Sequence, residues 1–196
     1  TLAGLLLLCS ASLMAQTKTV AGVWSAAKAN AWYAQHKWIN GANFTPSTAI
    51  NQLEMWQAET FDPKTIDREL GYAESIGVNA MRVLLHSVVW KEDAKGFKSR
   101  INKYLDIADK HHIKTIFVFF DDCWNPISKT GKQPEPKVGI HNSGWLQDPG
   151  NRINEAGEIP MLQKYVTDVL ITFKHDKRVL LWDLFNEPGN SSKGNK

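Results

Sequence analysis

The residues best suited to chemistry in this chain are Asn186 and Glu187, set between the apolar run 179–185 (VLLWDLF) and Pro188. A carboxyl at the end of a nearly apolar strand is expected to sit in partly desolvated surroundings. Desolvation disfavours the carboxylate and raises its pKa, as a general acid working near neutral pH requires. Pro188 biases Glu187 away from helix, which would hold the side chain at the strand end. At ~5% usage per residue type, a chance Asn-Glu-Pro arises about once in 8,000 positions, roughly a 2% accident in a chain of this length. A surface turn with an ordinary acidic residue is therefore the poorer explanation.

A second polar group interrupts another apolar run. Ala80, Arg82, Leu84 and His86 share one parity, which predicts that Arg82 and His86 face the same side of a strand. A charged side chain inside a core needs a carboxylate partner. A purely structural ion pair with a neighbour such as Asp183 is the competing role for Arg82. His111-His112 would need further ligands at a suitable spacing to hold zinc, and the sequence offers none.

Four strand candidates position these groups: 39–44, 78–85 (VNAMRVLL), 113–120 (IKTIFVFF) and 179–185. Asp62-Pro63 supplies an N-cap and a first-turn proline for a helix carrying Ile66, Leu70, Ala73 and Ile76, stopped by Gly77. A second helix carries Phe97, Ile101, Tyr104, Leu105 and Ala108, and a third Leu162, Val166, Val169, Leu170 and Phe173. Alternating strands and helices imply a parallel sheet with right-handed crossovers. The Gly-rich phosphate turn of a dinucleotide-binding sheet is missing after the first strand. Polar and aromatic residues gather instead after the strand C-termini, where a (β/α)8 TIM barrel builds its active site. The expected fold is α/β, the first four strands and helices of such a barrel over 38–196, preceded by a helical extension over 17–37.

Trp182-Asp183-Leu184-Phe185-Asn186-Glu187-Pro188 resembles the fourth-strand signature of clan A retaining glycoside hydrolases, particularly glycoside hydrolase family 5. The resemblance implies that Glu187 is the general acid/base and that Asn186 hydrogen-bonds the sugar 2-hydroxyl. It also implies that Arg82 braces the nucleophile, a second Glu after a seventh strand, beyond this chain. The family often has a His at the end of strand three, where this chain has Phe120-Asp121-Asp122-Cys123-Trp124. Nothing marks Asp121, Asp122 or Asp183 as the nucleophile. Sugar rings stack on aromatic faces, so Trp124 and Trp145 suit a carbohydrate groove. Local core packing is the even alternative for both, and equally for Trp56 and Trp90. The implied activity is hydrolysis of β-linked oligo- or polysaccharides, without metal or organic cofactor and inactive in this chain alone. The alternative is a non-catalytic carbohydrate-binding protein on the same scaffold.

The composition agrees with a folded chain. Of 196 residues, 43% are hydrophobic and 22% charged, which excludes disordered and collagen-like classes. The net charge of +3 is dispersed, without the basic run of a nucleic-acid binder. Two cysteines, Cys9 and Cys123, exclude a disulfide framework. The stretch 1–16 (TLAGLLLLCSASLMAQ) ends in small residues after an apolar run, like the end of a secretory signal lacking its basic start. Bulky Leu8 argues against a lipid anchor on Cys9. The run is too short to span a bilayer comfortably. A secreted or periplasmic protein with no integral membrane segment in its mature chain is expected.

Overall fold

A computed structural model describes residues 21–190, which divide into two compact units meeting between Trp38 and Ile39. The leader read in 1–16, with Cys9, lies outside the described residues. In the first unit, helix α1 (Ala26–Tyr33) is capped by Ser25, whose Oγ accepts from the Lys28 amide at 3.2 Å. It buries no residue, and Trp32 lies between Trp24 and His36, at 6.4 and 4.2 Å between ring centroids.

The second unit runs β1 (Gly41–Asn43), α2 (Gln52–Trp56), α3 (Pro63–Ser75), β2 (Ala80–Leu84), α4 (Ser87–Lys110), β3 (Lys114–Asp121), a 3-10 turn (Gly150–Asn154), α5 (Glu158–Phe173) and β4 (Val179–Asn186). The four strands form one parallel sheet in the order β1-β2-β3-β4. This is a mixed α/β architecture, as the alternation of periods in the sequence predicts.

Local chemistry sets the boundaries. Asp62 Oδ1 accepts from the amides of Lys64 and Thr65, both at 3.1 Å, so α3 starts where expected. It stops at Gly77, whose φ of +84° lets Val78 N reach Ala73 O at 3.0 Å. Strand β1 is shorter than the six residues expected. Gly41 permits its close approach to β2, since a Cβ there would lie 1.9 Å from Ala80 O.

The main core lies between the sheet and its helices. Met81, Val83, Phe117 and Phe119 from the strands pack with Phe97, Ile101, Tyr104 and Leu105 of α4 and with Tyr165, Val169 and Phe173 of α5. Removing such aliphatic and aromatic side chains from water contributes about 1.5–3 kcal/mol each. Trp56 belongs to this core: fully buried, it donates its indole N–H to Leu84 O at 2.8 Å, with Phe61 stacked on it at 6.1 Å. Trp90 is buried too and donates to Asp168 Oδ2 at 2.7 Å. For both, the packing alternative is the outcome.

One expectation fails. The apolar run of β4 reads as the best-buried strand, yet none of its residues is buried, and Leu184 is 61% exposed. The reason is its place in the sheet. It pairs only with β3 among the described residues, so its outer edge and much of both faces stay open.

Candidate active site

The C-terminal ends of β2, β3 and β4 bring the predicted polar residues together. Arg82 donates to Asp183 Oδ2 through Nη2 at 2.6 Å and Nε at 3.1 Å, a two-pronged contact. Its Nη2 also reaches Asn186 Oδ1 at 3.0 Å, and its Nη1 reaches Asn43 Oδ1 at 3.2 Å. The ion pair with Asp183 is therefore present, and the same guanidinium holds Asn186. Arg82 and Asp183 are both partly exposed, so their attraction is screened by solvent.

Glu187 follows directly, with a positive φ of +46°. Pro188 does keep it out of the right-handed helix, but the residue takes the left-handed region rather than the extended one expected. A non-glycine residue there costs on the order of 1–3 kcal/mol and needs surrounding bonds to fix it. Three supply them. Asp122 N donates to Asn186 O at 3.1 Å, Gly189 N to Asp122 Oδ2 at 2.7 Å, and Asn190 N to Glu187 O at 3.1 Å.

The Glu187 carboxylate accepts from Asn190 Nδ2 at 2.9 Å and from the Cys123 thiol at 3.4 Å, while Asn190 Nδ2 also lies 3.1 Å from the sulfur. Burial pushes the Cys123 thiol up to about 11, with Asn190 opposing and the Asp121 and Glu187 carboxyls adding to the rise. Glu187 itself is exposed, not partly desolvated as the apolar strand suggests. The open edge of β4 is the cause, since a strand bare on one side does not shield the residue at its end.

His86 is a correction. Its shared parity with Arg82 predicts a common face, but the alternation ends with β2 at Leu84, and His86 becomes the N-cap of α4. It is 0% exposed, so it has no access to a substrate. Nδ1 accepts from Val88 N at 3.2 Å, which leaves the proton on Nε2, donated to Gln147 O at 3.2 Å. Its role is to hold a loop.

That loop is the long connection after β3. It turns back on itself, with Asp121 pairing Asp148 and Asn125 pairing Leu146. Amide side chains pin it down: Gln52 Nε2 donates to Leu146 O at 2.8 Å, Asn51 Nδ2 to Gly144 O at 2.9 Å, and Gln147 Nε2 to Trp124 O at 3.3 Å. The loop brings Trp124 and Trp145 together edge to face at 5.9 Å, with His141 at 5.4 Å from Trp124. Trp124 is 38% exposed and has a φ of +79°, a second strained position in the chain, directly after Cys123. An exposed indole backed by a half-buried one offers an aromatic surface to a flat apolar ligand face.

Two contributors are absent from the motif reading. Asp121, 2% exposed, accepts from Asn186 Nδ2 at 2.9 Å, and Asn190 holds the Glu187 carboxylate. Asp121 directly follows the apolar third strand in sequence, a usable signal, whereas Asn190 carries none. Among the described residues no group of three or more His, Cys, Asp or Glu is arranged to hold a metal ion, and no helix is long and apolar enough to cross a membrane. Comparison with known proteins finds no matching family model and no matching curated protein.

Proposed function

We propose that this chain belongs to a retaining β-glycosidase or endo-β-glycanase acting on β-linked oligo- or polysaccharides, with Glu187 as general acid/base. The carrying observation is that Arg82, inside β2, holds Asn186 at the C-terminal end of parallel β4, directly before Glu187 in a strained backbone conformation. The proposed fold is the first half of a closed (β/α)8 barrel. The consecutive strand order supports this reading, because a doubly wound sheet reverses its order at a switch point.

A glycosidic oxygen leaves poorly unless protonated. In the proposed mechanism Glu187 delivers that proton, and a second carboxylate about 5–5.5 Å away forms the glycosyl-enzyme. Glu187 then accepts a proton from the incoming water. Asp121 and Asp122 are buried, and Asp183 is engaged with Arg82, so none is a suitable nucleophile. That role is assigned to a Glu of the second half of the barrel. Asn186 holds the substrate 2-hydroxyl, Trp124 and Trp145 stack on sugar rings, and the leader in 1–16 directs export.

Glu187→Gln in the full-length protein tests the assignment. Turnover of natural glycans is expected to fall by about 10²–10⁴-fold, the usual size of a general-acid contribution. Glycosylation by substrates with activated leaving groups is expected to be spared. Equal loss on both classes removes Glu187 from the acid role. Absence of any turnover by the wild-type full-length protein, with glycan binding retained, favours a carbohydrate-binding protein.

A further inference from the structure

The Asn186 amide is held from both ends, and the two holders differ in kind. Arg82 can only donate, so the oxygen it meets at 3.0 Å is Oδ1 of Asn186. The amide nitrogen must then face Asp121 Oδ1, 2.9 Å away, and that carboxylate can only accept while ionised. The amide cannot flip without placing donor against donor at one end and acceptor against acceptor at the other. Only one amide hydrogen remains, and among the described residues it meets the Cys123 sulfur at 3.6 Å, a weak acceptor.

Asp121 is itself held by further bonds. Its Oδ1 also accepts from Cys123 N at 3.0 Å, and its backbone exchanges two hydrogen bonds with Asp148, at 2.8 and 3.0 Å. Its Oδ2 is buried, without a hydrogen-bond partner among the described residues.

We propose that Asp121 is a positioning residue, one that fixes the polarity of the Asn186 amide so that its one free hydrogen is presented to an acceptor hydroxyl at C2 of the sugar. This rests on the glycosidase reading above and deepens it. Discrimination for the 2-hydroxyl is thereby set by a residue that never touches substrate. Cys123 supplies the weak contact that the hydroxyl displaces.

The test uses the full-length protein with an aryl β-glycoside it turns over and the 2-deoxy analogue of that substrate. Asp121→Ala is expected to lower kcat/KM on the 2-hydroxy substrate by about 10²-fold, as misplacement of a binding group does. The loss on the 2-deoxy analogue is expected to be under about 3-fold, since no 2-hydroxyl remains to be held. Asp121→Asn keeps an oxygen toward Asn186 Nδ2 and is expected to stay within about 5-fold of wild type on both. Equal losses on the two substrates overturn the proposal. Where Asp121→Ala does not fold, Asp121→Asn decides alone, and a loss beyond about 10-fold on the 2-hydroxy substrate overturns it. A readout without turnover separates this from the activity itself. The Asn186 side-chain amide resonance, assigned by its disappearance in Asn186→Asp, is expected to shift and exchange faster with solvent in Asp121→Ala. In Asp121→Asn that exchange is expected to stay slow. If the wild type cleaves no glycoside, the function fails, and this resonance still decides whether Asp121 holds the amide; an unmoved resonance overturns the proposal.

Discussion

Asp148→Asn removes one charge from the anchor beneath the site, and the structure sets its size. Asp148 is fully buried, and its carboxylate accepts from Ser87 N, Ser87 Oγ and Arg152 Nη2, each at 2.6 Å. Two of these bonds, from Ser87 Oγ and Arg152, share Oδ1. An asparagine therefore does best by keeping its oxygen there and turning its NH2 toward the Ser87 N–H. One charge-assisted bond, about 1.5–3 kcal/mol, is lost outright. Arg152 loses a counter-ion but keeps Glu158, which it also contacts. A total near 3–4 kcal/mol follows, at the lower end of the cost of breaking a buried ion pair. With a urea m-value of about 2 kcal/mol/M, the unfolding midpoint of the full-length protein should fall by roughly 1.5–2 M. Arg152→Met alone should also be costly, because it leaves Asp148 and Glu158 buried together, at 1% and 4% side-chain exposure. Combined with Asp148→Asn, its effect should be clearly less than additive. A midpoint shift below about 0.5 M for Asp148→Asn, or simple additivity, would refute the reasoning.

Stability should depend on pH through two histidines of opposite sign. Burial, opposed by Asp148, holds His86 below its ordinary 6.5, so the unfolded chain protonates first and stability falls as pH drops below 6.5. His86→Gln should remove that acid limb from urea midpoints measured across pH 5–8. Burial also works against His111, yet its hydrogen bonds to Glu74 and Asp67 win and raise it above 6.5. Its contribution is therefore fully present below 6.5 and lost as pH rises through the raised value, a limb that His111→Gln should flatten. Cys123, pushed up to about 11 and 5% exposed, should resist iodoacetamide at neutral to mildly alkaline pH in native protein and react fully once unfolded. Rapid native labelling, followed by mass, would contradict the buried placement beside Glu187.

Much of the scaffold is legible in the sequence because its signals are local. Asp62-Pro63 and Gly77 bracket α3 through bonds between residues two to five positions apart, and the stripe Phe97, Ile101, Tyr104, Leu105 and Ala108 is buried as its spacing predicts. The site is legible only in part. Arg82 and Asn186 meet across 104 residues of chain, which a motif can suggest but periodicity cannot. His86 misleads because parity continues on paper after β2 has ended, and the cap geometry of α4 replaces it. The amides Asn51, Gln52 and Gln147 leave no trace, since a side chain bonded to a distant backbone carbonyl needs no particular neighbour in sequence. The exposure of β4 escapes for a different reason. An apolar strand reads the same whether its second neighbour is present or not.

These contacts share a direction, from a fixed interior to an open tip. Asp148 is fully buried and locked by Ser87 and Arg152, and Asp121 is bonded to it through the backbone. Asn186 is bonded to Asp121, and Glu187, the next residue, is exposed. Each step outward trades burial for access. A proton donor, the role proposed for Glu187, must reach substrate, so it cannot itself be packed, and its position has to be inherited from groups that are. The strained backbone at Glu187 fits that division, because a left-handed glutamate persists only where the bonds from Asp122 and Asn190 over-determine the turn. Loosening the interior end, at Asp148, should therefore disturb the Asn186 amide as well as the fold. The same amide resonance that reports on Asp121 should then move in Asp148→Asn under conditions where that variant remains fully folded.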